Sequence, residues 1–230
     1  MAATSITWEL VHAERAALAA DLADLPAAAW ATPSLCAGLS VREVLAHLTA
    51  GATLSFPRWF AGVLRHRFDF DAQVQMRLRE QLGDSATETL TRFRAAIDRS
   101  TTPLGRRGSA EFMLAETVVH AEDIRRPLGL DRPYAETVLR TVAEFYAGTD
   151  LAVPAKSRIA GLHLTATDTP FTTGAGPAVT GPTIALIMAM TGRGAHLAEL
   201  DGDGVAVLRE RCGGHDPASG RDSAGPGRRR

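Results

Sequence analysis

Three side chains in this sequence, His47, Glu116 and His120, have the types and spacing that could hold a metal ion. His47 falls in Val44-Leu45-Ala46-His47-Leu48, where Val44, His47, Leu48 and Gly51 share one helical face, so the imidazole is expected to point inward with the apolar stripe. Further along, Phe112, Glu116, Val119, His120 and Asp123 share a face, and Glu116 and His120 form an i, i+4 pair projecting from successive turns. A carboxylate on a core-facing stripe is costly unless something compensates its charge. Two imidazoles and one carboxylate converging inside a bundle make a first shell for Zn²⁺ or another divalent ion, and three protein ligands leave a position for water or substrate. Against this, a core-facing histidine is more often a hydrogen-bonded structural residue, and Glu116 with His120 could form a solvated surface pair. Spacing alone leaves both readings open.

Other candidates surround this set. Arg193 follows a helix and stands beside glycines, where its fork could bind a carboxylate in bidentate fashion or cap the carbonyls of that helix. Asp123 could accept from a ligand imidazole or pair with Arg125 or Arg126, two cations at a helix C-terminus that the helix dipole already explains. Cys36 lies in a Pro/Gly loop without an adjacent histidine, so a structural thiol is the preferred reading over a nucleophile. His12, His66, His163, His196 and His215 lack partner spacing and read as surface or structural.

The elements that must position these residues follow from periodicity and punctuation. Ile6, Leu10, Ala17, Leu18 and Leu22 predict a first amphipathic helix over 5–25, followed by a loop carrying Trp30 and Cys36. Ser40 with Glu43 three residues later marks a helix start, and this second helix is expected to run towards Leu64. A third helical stretch spans 71–97 with a break at Gly83-Asp84, a fourth covers 109–126 and stops before Pro127 and Gly129, and a fifth runs over 134–146. Beyond Val153-Pro154 the pattern changes: 158–168 alternates as a strand, short strand-like pieces surround Phe171 and Val179, and Pro182 opens a helix reaching Met190. This predicts an α+β chain, with a metal-binding helical bundle domain over 1–152, a small α/β domain over 153–212 and a disordered tail over 213–230, Cys212 falling in the floppy end.

Composition narrows the function classes. The formal charge is -1, and residues 212–230 hold Arg221, Arg228, Arg229 and Arg230 against Asp216 and Asp222, so the body is mildly acidic. With no Lys/Arg stripe, neither nucleic acid nor an anionic membrane surface is an expected partner. Two cysteines offer no disulfide framework, which suits a reducing compartment. Glu9, Glu14 and Arg15 interrupt the first apolar stretch, so a secretory signal is not expected, and no run of uncharged apolar residues is long enough to span a bilayer. The expected location is the cytoplasm, as a monomer or homodimer.

From Trp8 to about Arg211 the sequence resembles the maleylpyruvate-isomerase-like, mycothiol-dependent family, a branch of the DinB-like metal-binding four-helix bundles. The resemblance rests on Pro33-Ser34-Leu35-Cys36-Ala37-Gly38, on Ser40-Val41-Arg42-Glu43-Val44-Leu45-Ala46-His47-Leu48, and on Glu116-Thr117-Val118-Val119-His120-Ala121-Glu122-Asp123-Ile124-Arg125-Arg126-Pro127-Leu128-Gly129. It continues in the run from Gly181-Pro182 to Thr191-Gly192-Arg193. It implies an N-terminal up-down four-helix bundle followed by a small sterol-carrier-like α/β domain. It also implies that His47, Glu116 and His120 are the metal ligands and that Arg193 is important for activity; Arg193 and Asp123 are the residues expected to contact the bound group. One departure is Leu39, where the family has Trp after the glycine.

The activity implied is thiol activation. A free thiol has a pKa of about 8.5, and a thiol that coordinates a divalent ion, zinc being the expected one, is deprotonated at neutral pH. By the resemblance the thiol cosubstrate is mycothiol, and its partner is an electrophilic small molecule. Maleylpyruvate-like cis-trans isomerisation and thiol S-transfer would use the same site, with His47 and Arg193 as the catalytic candidates. Two alternatives come from other classes: a non-catalytic ligand-binding module, and a metal-dependent hydrolase that activates water.

Overall fold

The Ser40/Glu43 signal has a direct structural counterpart. In a computed structural model, which describes residues 2–57, 70–103 and 109–213, Ser40 Oγ accepts from Glu43 N while Glu43 Oε2 accepts from Ser40 N at 2.8 Å. This reciprocal cap satisfies two backbone donors and fixes the start of α2, Val41–Thr53. Before it come α1, Ala2–Asp21, and a short 3-10 turn, Ala27–Ala31, that buries Trp30. After it come α3, Phe70–Leu82, α4, Ala86–Arg94, α5, Ala110–Leu128, and α6, Glu136–Gly148. The second helix is shorter than the expected run towards Leu64: α2 ends at Thr53, with Leu54 in extended conformation at φ -80, ψ 117 as its C-cap, while Leu64 itself, His66, His215 and the tail beyond Gly213 lie outside the described residues.

The chain divides into two compact units between Phe145 and Tyr146. In the first, α2 packs against α3, α4 and α5, and α1 packs against α4 and α5. Their shared core contains Leu18, Leu22, Trp30, Val44, Leu45, Phe93 and Ile124, with Cys36 and Leu39 packed against it. Leu39, where the resemblance expected Trp, is thus partly buried at the edge of this core. Leu45 is fully buried. Leu45→Ala is expected to cost about 2–5 kcal/mol, through lost transfer energy and a residual cavity. A lowered urea midpoint with an unchanged slope would show it, and an unchanged midpoint would mean that the core repacks without loss.

Two further helices differ from the sequence reading. The buried stripe of α1 runs through Thr7, Val11, Glu14, Arg15 and Leu18 and is continued by Leu22 just past its end, while Leu10 and Ala17 are only half-buried. Arg15 can occupy the interior because Nη1 donates to the carbonyls of Arg99 at 2.9 Å and Ile97 at 3.3 Å, beyond the end of α4. Helix α5 does not stop before Pro127 but continues through it to Leu128, closed by Gly129 at φ 65. Proline removes only the N–H that would have bonded Asp123 O, four residues back, and that carbonyl accepts instead from Leu35 N at 3.1 Å. The Cys36 loop is therefore docked on α5 at the residue beside the candidate ligands.

The second unit holds a three-stranded sheet in the order β2-β1-β3, with β1 at His163–Ala166, β2 at Thr172–Gly174 and β3 at Ala178–Gly181. β1 pairs antiparallel with β2 (Leu164 opposite Thr173) and parallel with β3 (Leu164 opposite Val179). The long strand expected over 158–168 shrinks to four residues, because 155–158 form a single helical turn, α7, and Gly161 turns the chain at φ 75. Gly174 is required where it stands: a Cβ there would lie 2.2 Å from Leu162 O. Helix α8, Thr183–Met190, is buried nearly all round and capped from outside by Asp168 Oδ1, which accepts from Thr183 N at 2.8 Å. A 3-10 turn, Gly194–Glu199, leads to α9, Val205–Gly213. Cys212 belongs to this helix and not to a loose end; its thiol donates to Ala189 O at 3.4 Å. No helix among the described residues is long and apolar enough to cross a membrane.

Candidate metal centre

His47 comes from the middle of α2, and Glu116 and His120 from successive turns of α5, against which α2 packs. One ligand atom from each of the three lies within 4.8 Å of the others. The two imidazoles meet edge to face with centroids 4.8 Å apart, and His120 Nε2 is 3.7 Å from Glu116 Oε2. His120 is buried, whereas His47 and Glu116 are half-buried, so the cluster is set in the bundle with one side accessible. The solvated surface pair is thereby excluded for Glu116 and His120, since the imidazole is 8 % exposed.

The other nitrogen of His120 is engaged as well. Nδ1 lies 2.8 Å from Asp123 Oδ2, a carboxylate with no exposed surface. Of the two readings open to Asp123, the imidazole partner is the one seen, and the carboxylate fixes the ring so that Nε2 faces Glu116. Burial disfavours the charged imidazolium, but hydrogen bonds and charge from Asp123 and Glu116 outweigh it and raise His120 to about 9. Two carboxylates at 2.8 and 3.7 Å from one imidazole give the site a negative field suited to a cation, and its donors, two imidazoles and a carboxylate, are among those zinc takes. The residues fit a divalent ion held by His47, Glu116 and His120, with Asp123 behind His120.

The remaining candidates separate. Arg193 lies in the second unit, ahead of the 3-10 turn; its backbone N–H bonds Met188 O at 2.8 Å and its Nη1 donates to Thr191 O at 3.0 Å, so it does cap the end of α8. Arg125 departs from the dipole explanation: its side chain is fully buried and bonds Asp21 and Tyr134. Cys36 is closer to the chemistry than its sequence neighbours suggested. Its Sγ, a His120 nitrogen and an Asp123 oxygen all lie within 4.8 Å of one another. No sequence spacing relates Cys36 to Asp123; the only hint was Pro127, whose missing N–H leaves the Asp123 carbonyl open to the loop. Of the other histidines, His12 lies 3.2 Å from Ser100 Oγ, His163 contacts Gly174 O, and His196 is buried 3.2 Å from Glu199.

Residues 11–111 match the family model of the mycothiol maleylpyruvate isomerase N-terminal domain, a stretch that includes His47 and ends before Glu116. No curated protein matches the chain. Among solved structures, a histidine-to-alanine mutant of the mycothiol-dependent maleylpyruvate isomerase superposes with a TM-score of 0.59 at 14% identity, covering 87% of this chain and 92% of that one. The unmutated mycothiol-dependent maleylpyruvate isomerase gives 0.57 at the same identity and coverage. At that identity the likeness establishes the α+β fold. Residues 11–111 are therefore similar to the N-terminal domain of the mycothiol maleylpyruvate isomerase family, and the fold of the chain is that of the mycothiol-dependent maleylpyruvate isomerase.

Proposed function

We propose that this chain is a metal-dependent enzyme that uses a low-molecular-weight thiol, mycothiol by its family, to attack an electrophilic small molecule. The observation that carries the reading is the convergence of His47, Glu116 and His120 ligand atoms within 4.8 Å on the accessible side of a bundle core. A divalent ion held there, zinc by its donor set, would supply the Lewis acidity that makes a thiol anionic at neutral pH. The chain's own contribution is positional: Asp123 fixes the His120 ring through Nδ1, and Glu116 balances charge beside it. Arg193 is the candidate for the substrate carboxylate, since a guanidinium fork can hold one in bidentate fashion.

Isomerisation and S-transfer share the first step, formation of a C–S bond to an activated double bond with the π electrons moving into the conjugated carbonyl. In isomerisation the former double bond rotates and the thiol is expelled, with no net oxidation; in S-transfer the adduct takes a proton and leaves. The test is turnover of maleylpyruvate or a generic electrophile by the metal-loaded protein with mycothiol. Product formation is expected to need both thiol and metal, to stop with a chelator and to vanish in His47→Ala. Activity that persists without thiol would favour a hydrolase, and indifference to the chelator would leave a binding module.

A further inference from the structure

The loop around Cys36 is built more rigidly than a surface connection needs. Pro33 and Ser40 form an isolated antiparallel bridge, Ser34 N donates to Leu39 O at 2.9 Å, and Ser34 Oγ donates to Leu39 O at 2.8 Å. Cys36 N in turn donates to Ser34 Oγ at 3.1 Å. The closed loop is then fastened to α5 by Leu35 N donating to Asp123 O, the carbonyl that Pro127 leaves without its helical partner. The half-buried thiol is thereby fixed beside two buried side chains, Asp123 with no exposed surface and His120 at 8 %.

We propose that Cys36, His120 and Asp123 form a second metal position, selective for thiophilic ions and exclusive with the His47, Glu116 and His120 position. The ligand atoms already lie within 4.8 Å of one another. Tetrahedral ligands at about 2.0–2.3 Å from a zinc-sized ion stand about 3.3–3.8 Å apart, so side-chain rotation closes the remaining gap. The donor set differs in kind from its neighbour: a thiolate and a carboxylate give two negative charges where the other set has one, and sulfur favours soft ions. Binding transfers the Cys36 thiol proton to solvent and involves no redox change. Sharing makes the two positions alternatives, because a neutral imidazole offers one lone-pair nitrogen. Nδ1 faces Asp123 and Nε2 faces Glu116, so an ion on the Cys36 side takes His120 from the other set. A thiophilic ion would accordingly inhibit whatever chemistry the His47 position performs, but its binding does not depend on that chemistry.

The test is titration of the full, metal-free chain with cadmium chloride in a phosphine reductant, following the ultraviolet thiolate-to-cadmium charge-transfer band. The band is expected to saturate at one cadmium per chain, to disappear in Cys36→Ser and to remain in His47→Ala and in Cys212→Ser, since the Cys212 thiol is held by Ala189 O. His120→Ala is expected to weaken cadmium at least about tenfold. An absent band in the unmodified chain, a band surviving Cys36→Ser, or one lost in His47→Ala would overturn the proposal. Two cadmium ions bound together would overturn the exclusivity. Circular dichroism and retained zinc binding in Cys36→Ser separate loss of the ligand from loss of the fold.

Discussion

His120→Ala is expected to strip the chain of bound metal more completely than any other single substitution, because this imidazole belongs to both ligand sets. His47→Ala and Glu116→Ala each damage one position and leave the Cys36 side intact, so they should abolish thiol-dependent turnover while retaining thiophilic ions. His120→Ala leaves neither. Asp123→Asn sets the scale: it keeps the shape and removes the charged acceptor of Nδ1, and losing such an outer partner lowers metal affinity by about 10–100-fold. Deleting the ligand itself should exceed that, and zinc should be lost on dialysis. The measurement is elemental analysis of each variant beside its melting temperature. The melting temperature is needed because alanine also leaves Asp123, fully buried, without its 2.8 Å partner. Stoichiometric zinc in a folded His120→Ala protein would remove this histidine from the centre and with it the basis of the proposed activity.

How much of this could be read in the sequence depends on whether the cause was local. The capping box at Ser40 and Glu43, the break at Gly83-Asp84 and the Pro182 helix start are set by residues within a turn of each other, and α2, α3, α4 and α8 follow them. The inward stripe through His47 and the i, i+4 spacing of Glu116 and His120 are likewise properties of single helices, and packing of α2 on α5 brings the two sets together. What was not legible depends on partners far away in the chain. In the sequence Arg15 is only a charge that interrupts an apolar stretch, and its burial follows from the distant carbonyls of Ile97 and Arg99. Pro127 reads as a helix stop until Leu35 supplies the N–H that Asp123 O would otherwise lack. Cys36 reads as a lone structural thiol for the same reason. Alternation over 158–168 resembles a strand, yet Arg158 Nη1 reaches Met190 O at 2.6 Å and keeps the first part of that run in a helical turn at the end of α8.

Arg125→Met is expected to destabilise the first unit by about 3–5 kcal/mol, the cost of breaking a buried ion pair from one side. Against a total of about 5–15 kcal/mol for a typical domain, this is a large fraction. The guanidinium is fully buried and serves three groups: Nε and Nη2 hold Asp21 at 2.8 and 2.7 Å, Nη1 donates to Tyr134 Oη at 2.6 Å, and the Tyr134 hydroxyl donates onward to Glu122 at 2.6 Å. Asp21 ends α1 and Glu122 lies within α5, so one side chain ties two helices together at the end of the bundle where the Cys36 loop docks. A methionine fills much of the volume and leaves these acceptors without their cation. The pH dependence gives a second check. Burial pushes Glu122 up from its ordinary value, with Tyr134 and Arg125 opposing, so removing Arg125 raises it further. A carboxyl whose folded-state pKa is raised contributes stability that is present below its unfolded value and lost as the pH rises through the folded one. The deficit of Arg125→Met should therefore be greatest at neutral pH and shrink on acidification through the raised Glu122 range. Adding Glu122→Gln should recover part of it at neutral pH. If Arg125 only complemented the helix dipole, the loss would be about 0.3–1 kcal/mol and salt-sensitive, and chemical denaturation of the single variant distinguishes that from the network.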